Sequence, residues 1–334
     1  MVELPRLRTR NSRIVDLSGN EVVLKGVNIA DPEAIYRDRH RVSLLDVADR
    51  IFFDLGCKVV RIPVIPEDFY GYGYGFLHQQ DTYFHRYLKP LVDYCADIGL
   101  YAIIDMHYVD GEPLIDDKPS FGYLDKKDQA FEFWSFIAPK FREYSNVIFD
   151  IYNEPVQPRS TDPWEGPYDW ATWKNEMAQP IVNLIRRHAP QNLILVGGPN
   201  YCLEMAGAAT DPVLDPENDP PSIAYVTHTY PGHDPGRRIA NVLDPIVDRV
   251  PVFVSEWGFE QGAGRVVHGT ADEFGKELID YVDRHNLGWT AWVYDNVWTS
   301  RMVNAKWSLL GDVDSEKYPI EYNGRMGGFV KRHL

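Results

Sequence analysis

Two glutamates stand where this chain could do chemistry: Glu154 in Tyr152-Asn153-Glu154-Pro155, and Glu256 in Ser255-Glu256-Trp257-Gly258. Each follows a short apolar run, although 102 positions (256 minus 154) separate them. Two carboxyls that a fold can bring face to face suit the cleavage of a glycosidic bond. One must be protonated to donate to the departing oxygen, and the other ionised to meet the positive charge developing at the sugar carbon. Different neighbours must then set their pKa values apart. Arg61, in Val59-Val60-Arg61-Ile62-Pro63, is the candidate to hold Glu256 ionised, and Tyr230 to donate a hydrogen bond to it. Asn153 is the candidate partner of a sugar 2-hydroxyl. His107 is expected to face the sugar and His228 the acid, as hydrogen-bond partners rather than principal proton carriers. Trp292 offers a flat apolar face on which a sugar ring can stack.

Taken singly, each of these residues has a plain structural explanation: a buried ion pair, a hydrogen-bonded core histidine, a packed indole. Their placement argues otherwise. Aliphatic runs are expected to form strands at residues 24–30, 57–64, 100–107, 146–153, 193–198, 223–228, 252–256 and 288–294. Helical spacing occupies 44–55, 83–98, 127–144, 173–188 and 271–285 between them. Eight strand-helix units favour a single-domain α/β fold over residues 1–334, a (β/α)8 TIM barrel, over an open doubly wound sheet. In such a barrel the carboxyl ends of the strands share one mouth, where six runs here turn polar or aromatic. A hairpin pairing 14–16 with 21–24 through a glycine turn at 17–20 is expected to close the barrel floor.

The remaining composition narrows the partners. A formal net charge of −15, with 31 Asp against 12 Lys, argues against nucleic acid and anionic membranes and leaves a neutral polysaccharide or oligosaccharide. Three cysteines, Cys57, Cys95 and Cys202, allow at most one disulfide and show no metal-ligand spacing. Buried thiols are expected for the first two. The opening residues lack a secretory leader, so an extracellular location is expected if a leader was removed and a cytoplasmic one otherwise. No run is long and apolar enough to span a bilayer, and a monomer is expected.

The motifs together resemble glycoside hydrolase family 5, the large cellulase and mannanase family of retaining barrel enzymes. They are Lys25-Gly26-Val27-Asn28, Val-Arg61-Ile-Pro, Ile-Asp-Met-His107, Tyr-Asn153-Glu154-Pro155, His228-Thr-Tyr230, Ser-Glu256-Trp257-Gly258 and Ala-Trp292, spread over nearly the whole chain. The resemblance implies that Glu154 is the acid/base and Glu256 the nucleophile. It assigns Arg61, His107, Asn153, His228, Tyr230 and Trp292 to supporting or sugar-binding roles, with no metal or organic cofactor.

The family's base rate, and not any residue, favours a β-1,4-glucan endohydrolase. A β-mannanase, an exo-acting β-glucosidase-type enzyme, a transglycosylase and a non-catalytic carbohydrate-binding barrel are the alternatives. Retention of both carboxylates speaks against the last. Tyr36, the stretch 70–76, Trp164, Trp170, Trp257 and Trp298 are candidate stacking platforms. Exo action would follow if a loop at 33–41 or an insertion at 211–221 closed one end of the cleft, and although the latter's Asp-Pro repeats could invite calcium, no EF-hand spacing supports it.

Overall fold

A computed structural model describes residues 4–39, 42–68, 75–109, 114–115, 118–119, 121–156, 169–233, 238–311 and 325–334. Eight parallel strands close into one barrel in chain order: Lys25–Ile29, Val59–Val64, Tyr101–Met106, Val147–Asp150, Ile194–Gly197, Ile223–Thr229, Val252–Trp257 and Gly288–Tyr294. They are numbered one to eight below, and strand eight pairs with strand one to complete the ring. All eight expected strands are found, with boundaries within a few residues.

Alternation along each strand divides two cores. Val60, Ile62, Ala102, Ile104, Val147, Phe149, Val196 and Val254 face the surrounding helices and join the larger cluster. Val59, Tyr101, Ile103, Ile148, Leu195, Ala224 and Phe253 face inward and fill the lower barrel. Two residues further along the same inward faces come Arg61, Asp105, Asp150 and Ser255, all fully buried. The interior therefore changes from apolar at the floor to charged near the mouth. Because successive side chains point to opposite faces, this polarity gradient is set residue by residue.

The helices match the expected segments. The first runs from Leu44 through a π-helical turn at Arg50–Asp54, and others span Gln80–Ile98, Lys127–Phe141, Trp170–His188 and Ala271–Arg284, with π-helical turns in four of the five. Pro32–Asp38 forms a further short helix capped by Asp31, whose carboxylate accepts from the Glu33 and Ala34 N–H groups. Asp31 also accepts from Ile65 N–H and the Tyr83 hydroxyl, fastening the loops after strands one and two together. Among the described residues no helix is long and apolar enough to cross a membrane.

Three expectations need correction. The floor hairpin pairs Leu7–Arg10 with Arg13–Asp16, one strand earlier than expected. The 17–20 turn exists but leads only to an isolated bridge between Val15 and Glu21. Leu7 and Ile14 nevertheless pack into the inward-facing lower core, so the hairpin does cover the floor. The 211–221 insertion follows the Trp170–His188 helix rather than walling the mouth, with Asp211 beside Lys174, Leu214 bonded to Gln179 and Asp215 to Arg186, and it reaches the floor hairpin where the Thr9 hydroxyl donates to the Pro221 carbonyl. Its Asp215 is engaged by a buried bidentate Arg186 and by the N–H groups of Ser222 and Glu217. Trp170 and Trp257 are buried packing residues, Trp170 against Tyr225 and Trp257 against Trp289, and offer no platform. The expected platforms at 70–74 and Trp164 lie outside the described residues.

Strand one approaches strand two so closely at Gly26 that a Cβ there would stand 1.8 Å from the Val59 carbonyl oxygen. That contact is with backbone, which cannot rotate aside. Gly26→Ala is expected to lose about 3 kcal/mol of stability in urea unfolding, the upper end of what overpacking costs. A change below about 1 kcal/mol would mean that the strands can part without penalty.

Candidate active site

The mouth of the barrel is organised around one guanidinium. Arg61 on strand two is fully buried, and its Nε donates to Asp150 Oδ2 at 2.9 Å. Its Nη1 donates to Asn28 Oδ1 (3.0 Å) and Glu256 Oε1 (2.7 Å), and its Nη2 to Asn153 Oδ1 (2.8 Å). Asp105 Oδ2 lies 3.1 Å from Nη2. Burial alone would lower the pKa of Arg61, but the carboxylates of Asp105, Asp150 and Glu256 outweigh it and the net shift is upward. The cation is permanent.

Glu256, at the end of strand seven, therefore meets Arg61 through Oε1 and the Tyr230 hydroxyl through Oε2 (2.8 Å). Burial raises the Tyr230 pKa well above its ordinary value, so the phenol remains a donor. Glu154 follows strand four and has a different environment. Its Oε1 lies 2.7 Å from His228 Nδ1, and its side chain is 14% exposed, against 5% for Glu256. Burial pushes the Glu154 carboxyl up to about 7, against the opposing influence of His107 and Arg61. One carboxyl is thus clasped by a cation and a phenol, while the other keeps its proton near neutrality.

The two histidines are neutral, since burial lowers His107 to about 4 and His228 to about 3. His228 sits where strand six bulges between Thr227 and His228, a register shift that turns its ring towards Glu154. Its Nε2 meets Ser255 Oγ at 3.0 Å. His107 Nδ1 meets Asp105 Oδ2 at 2.7 Å, which directs Nε2 away from Asp105. Trp292 lies parallel to His107 (centroids 5.5 Å, 5° between planes) and to Trp298 (5.8 Å, 15°). Its indole N–H donates to the Thr299 carbonyl. The loop bearing Trp298 is held by Asp295, which accepts from Val297 and Trp298 N–H and is clamped by a buried bidentate Arg39.

All eight residues singled out in the sequence converge on this mouth. An oxygen of Glu154, an oxygen of Glu256 and a nitrogen of His228 lie within 4.8 Å of one another. Such a trio could hold a metal ion, but its hydrogen bonds to Arg61, Tyr230 and Ser255 already account for the convergence. Asn153 is more tightly engaged than expected: besides accepting from Arg61, it donates to the Tyr108 carbonyl, which leaves one N–H for a ligand.

The sequence model of the cellulase family, glycosyl hydrolase family 5, matches residues 15–297. The chain belongs to glycosyl hydrolase family 5. Among curated relatives, Endoglucanase A of Evansella cellulosilytica is 29% identical over 207 residues, covering 61% of this chain and 37% of that protein. An endoglucanase of Clostridium saccharobutylicum is 25% identical over 287 residues, covering 86% and 56%. The family 5 chain thus spans only part of the length of the curated relatives it matches. Among solved structures, the β-glucanase SdGluc5_26A of Saccharophagus degradans superposes with a TM-score of 0.76 at 21% identity, covering 98% of this chain and 92% of that one. The catalytic domain of Thermobifida fusca endoglucanase Cel5A gives 0.73 at 22% identity, covering 98% and 96%. At these identities the likeness is one of fold.

Asp105 and Asp150 were not singled out in the sequence, yet they hold Arg61 from below. The alternation signal was available: Asp105 shares an inward face with His107 two residues later, and Asp150 faces inward from strand four in register with it. Burial raises both carboxyls while Arg61 opposes the rise. Replacing Arg61 by Met removes the cation these buried carboxyls face. The expected loss is about 3–5 kcal/mol in urea unfolding, partly recovered by adding Asp105→Asn and Asp150→Asn. A loss under about 1 kcal/mol would show that the carboxyls are already neutral.

Proposed function

We propose that this family 5 barrel is a retaining glycoside hydrolase that cleaves β-1,4-glucan internally, with the barrel as its catalytic unit. The observation that carries the mechanism is the closeness of the two carboxyls: oxygens of Glu154 and Glu256 come within 4.8 Å. Retaining enzymes hold their carboxyl groups about 5–5.5 Å apart, whereas inverting ones leave roughly 6.5–9.5 Å for a water between them. Glu256 is then the nucleophile, paired with Arg61 and oriented by Tyr230. Glu154 is the acid that protonates the leaving oxygen and, once ionised, the base that activates water against the glycosyl-enzyme ester.

His228 suits both halves of this cycle. As a neutral ring it accepts from protonated Glu154 through Nδ1 while donating through Nε2 to Ser255, and the opposite tautomer donates to the ionised carboxylate. The glucan assignment rests on the endoglucanase names of the relatives and on the Trp292 and Trp298 rings, whose planes suit the flat faces of equatorial sugars.

Release of reducing ends from carboxymethylcellulose, barley β-glucan, mannan and xylan tests this reading. The glucans are expected to be cut, Glu256→Gln to abolish cleavage, and Glu154→Gln to lower kcat by about 10²–10⁴. Activity confined to mannan would move the substrate assignment, and activity surviving Glu256→Gln would sink the mechanism. Because the acid must be protonated, kcat/KM is expected to fall as pH rises through about 7, the value to which burial lifts Glu154. A rate still rising above pH 8 would remove Glu154 from that role.

A further inference from the structure

Strand five ends in Gly197, and the chain then makes an unusual turn beneath the acid. Asn200, Tyr201 and Cys202 have φ angles of 59°, 58° and 60°. Three successive non-glycine residues in the left-handed region crowd their Cβ atoms against the backbone, and such a run persists only where its surroundings over-determine it. The surroundings here are the residues flanking Glu154. Asn200 N–H donates to the Val156 carbonyl at 3.2 Å and Tyr201 N–H to the Pro155 carbonyl at 3.2 Å. The Cys202 thiol donates to the Asn153 carbonyl at 3.1 Å. The turn thus directs three donors at carbonyls on both sides of Glu154, whose own N–H is held by Tyr108 O at 3.1 Å.

The thiol has been given room to do this. Cys202 is fully buried, and a Cβ on Gly197 would stand 2.4 Å from its Sγ. Burial, reinforced by Glu154 and Asp150, raises the thiol pKa well above its ordinary value, so it stays protonated and able to donate. The turn is also tied to the other partner of Glu154. Thr227 Oγ1 donates to the Cys202 carbonyl at 2.8 Å, immediately before the bulge that presents His228.

We propose that the left-handed turn at residues 200–202 is a positioning device for the acid/base, with Cys202 as a positioning residue that fixes the Asn153 carbonyl and so the direction of the Glu154 carboxyl. The proposal rests on the acid/base reading of Glu154. A thiol that merely fills space would affect all substrates alike. One that aims the acid would matter only where the leaving group needs a proton.

The test compares kcat/KM, which reports the first bond cleavage, on a cello-oligosaccharide and on 2,4-dinitrophenyl β-cellobioside, whose leaving group departs unprotonated. Cys202→Ala is expected to lower the oligosaccharide value on the order of 10-fold, the scale of a misaligned catalytic group. The aryl glycoside value should stay within about 2-fold, and Cys202→Ser, which keeps a donor, should recover most of the loss. Equal losses on both substrates, no loss on either, or a serine variant as impaired as the alanine one would overturn the proposal. Were the alanine chain unable to fold, Thr227→Val, which removes the turn's tie to strand six, carries the same comparison. Glu154→Ala, run alongside, must itself show the split. If it does not, the acid/base reading fails first.

Discussion

The site depends on a single buried cation. Arg61 reaches from strand two to Asn28 on strand one, Asp105 on strand three, Asp150 and Asn153 on and after strand four, and Glu256 on strand seven. A fixed fork of donors meeting acceptors from four other strand positions sets the relative heights of those strands at the mouth. Burying such a charge is expensive, and each carboxylate below it leaves an oxygen, Asp105 Oδ1 and Asp150 Oδ1, without a hydrogen-bond partner among the described residues. An apolar plug would fill this space with less penalty. What the arrangement supplies instead is a rigid electrostatic floor beneath Glu256.

That floor also separates the two glutamates chemically. Both are largely buried and both lie near Arg61, yet only Glu256 touches it directly, while Glu154 meets a neutral imidazole. Desolvation acts on Glu154 without a compensating contact charge, and its proton is retained to about pH 7. The separation is maintained by neighbours that cannot themselves change charge in this range. His107 and His228 are held neutral by burial, and Tyr230 stays protonated.

Local backbone irregularity concentrates where side chains must be aimed. Strand six bulges at His228, strand eight shifts register between Ala291 and Tyr294 around Trp292, and the segment after strand five runs left-handed under Glu154. Towards the floor, strands five and six carry apolar packing through Leu195, Ala224 and Val226. A uniform pleat would send alternate residues outward, so bringing an extra side chain into the mouth requires a break in the alternation. All three cysteines, by contrast, are buried free thiols, and Cys57 and Cys95 simply join the outer core.

The sequence by itself determined the eight strands, their order and the polar residues at their ends, because period-two burial and strand-terminal chemistry are written in consecutive residues. It also supported the pairing of Glu154 with Glu256, since a closed parallel barrel leaves their strands nowhere to end but one mouth. Only the tertiary structure decided what those residues touch. Asp105 and Asp150 read as ordinary strand residues until closure of the barrel set them under Arg61. Trp170 and Trp257 read as platforms until packing buried them, and the 211–221 insertion read as a possible cleft wall until its contacts along the Trp170–His188 helix placed it elsewhere. The left-handed turn at 200–202 contains no glycine to announce it. Its conformation is imposed by carbonyls more than forty residues away, and contacts across that separation are a property of the closed barrel, not of any local stretch of chain.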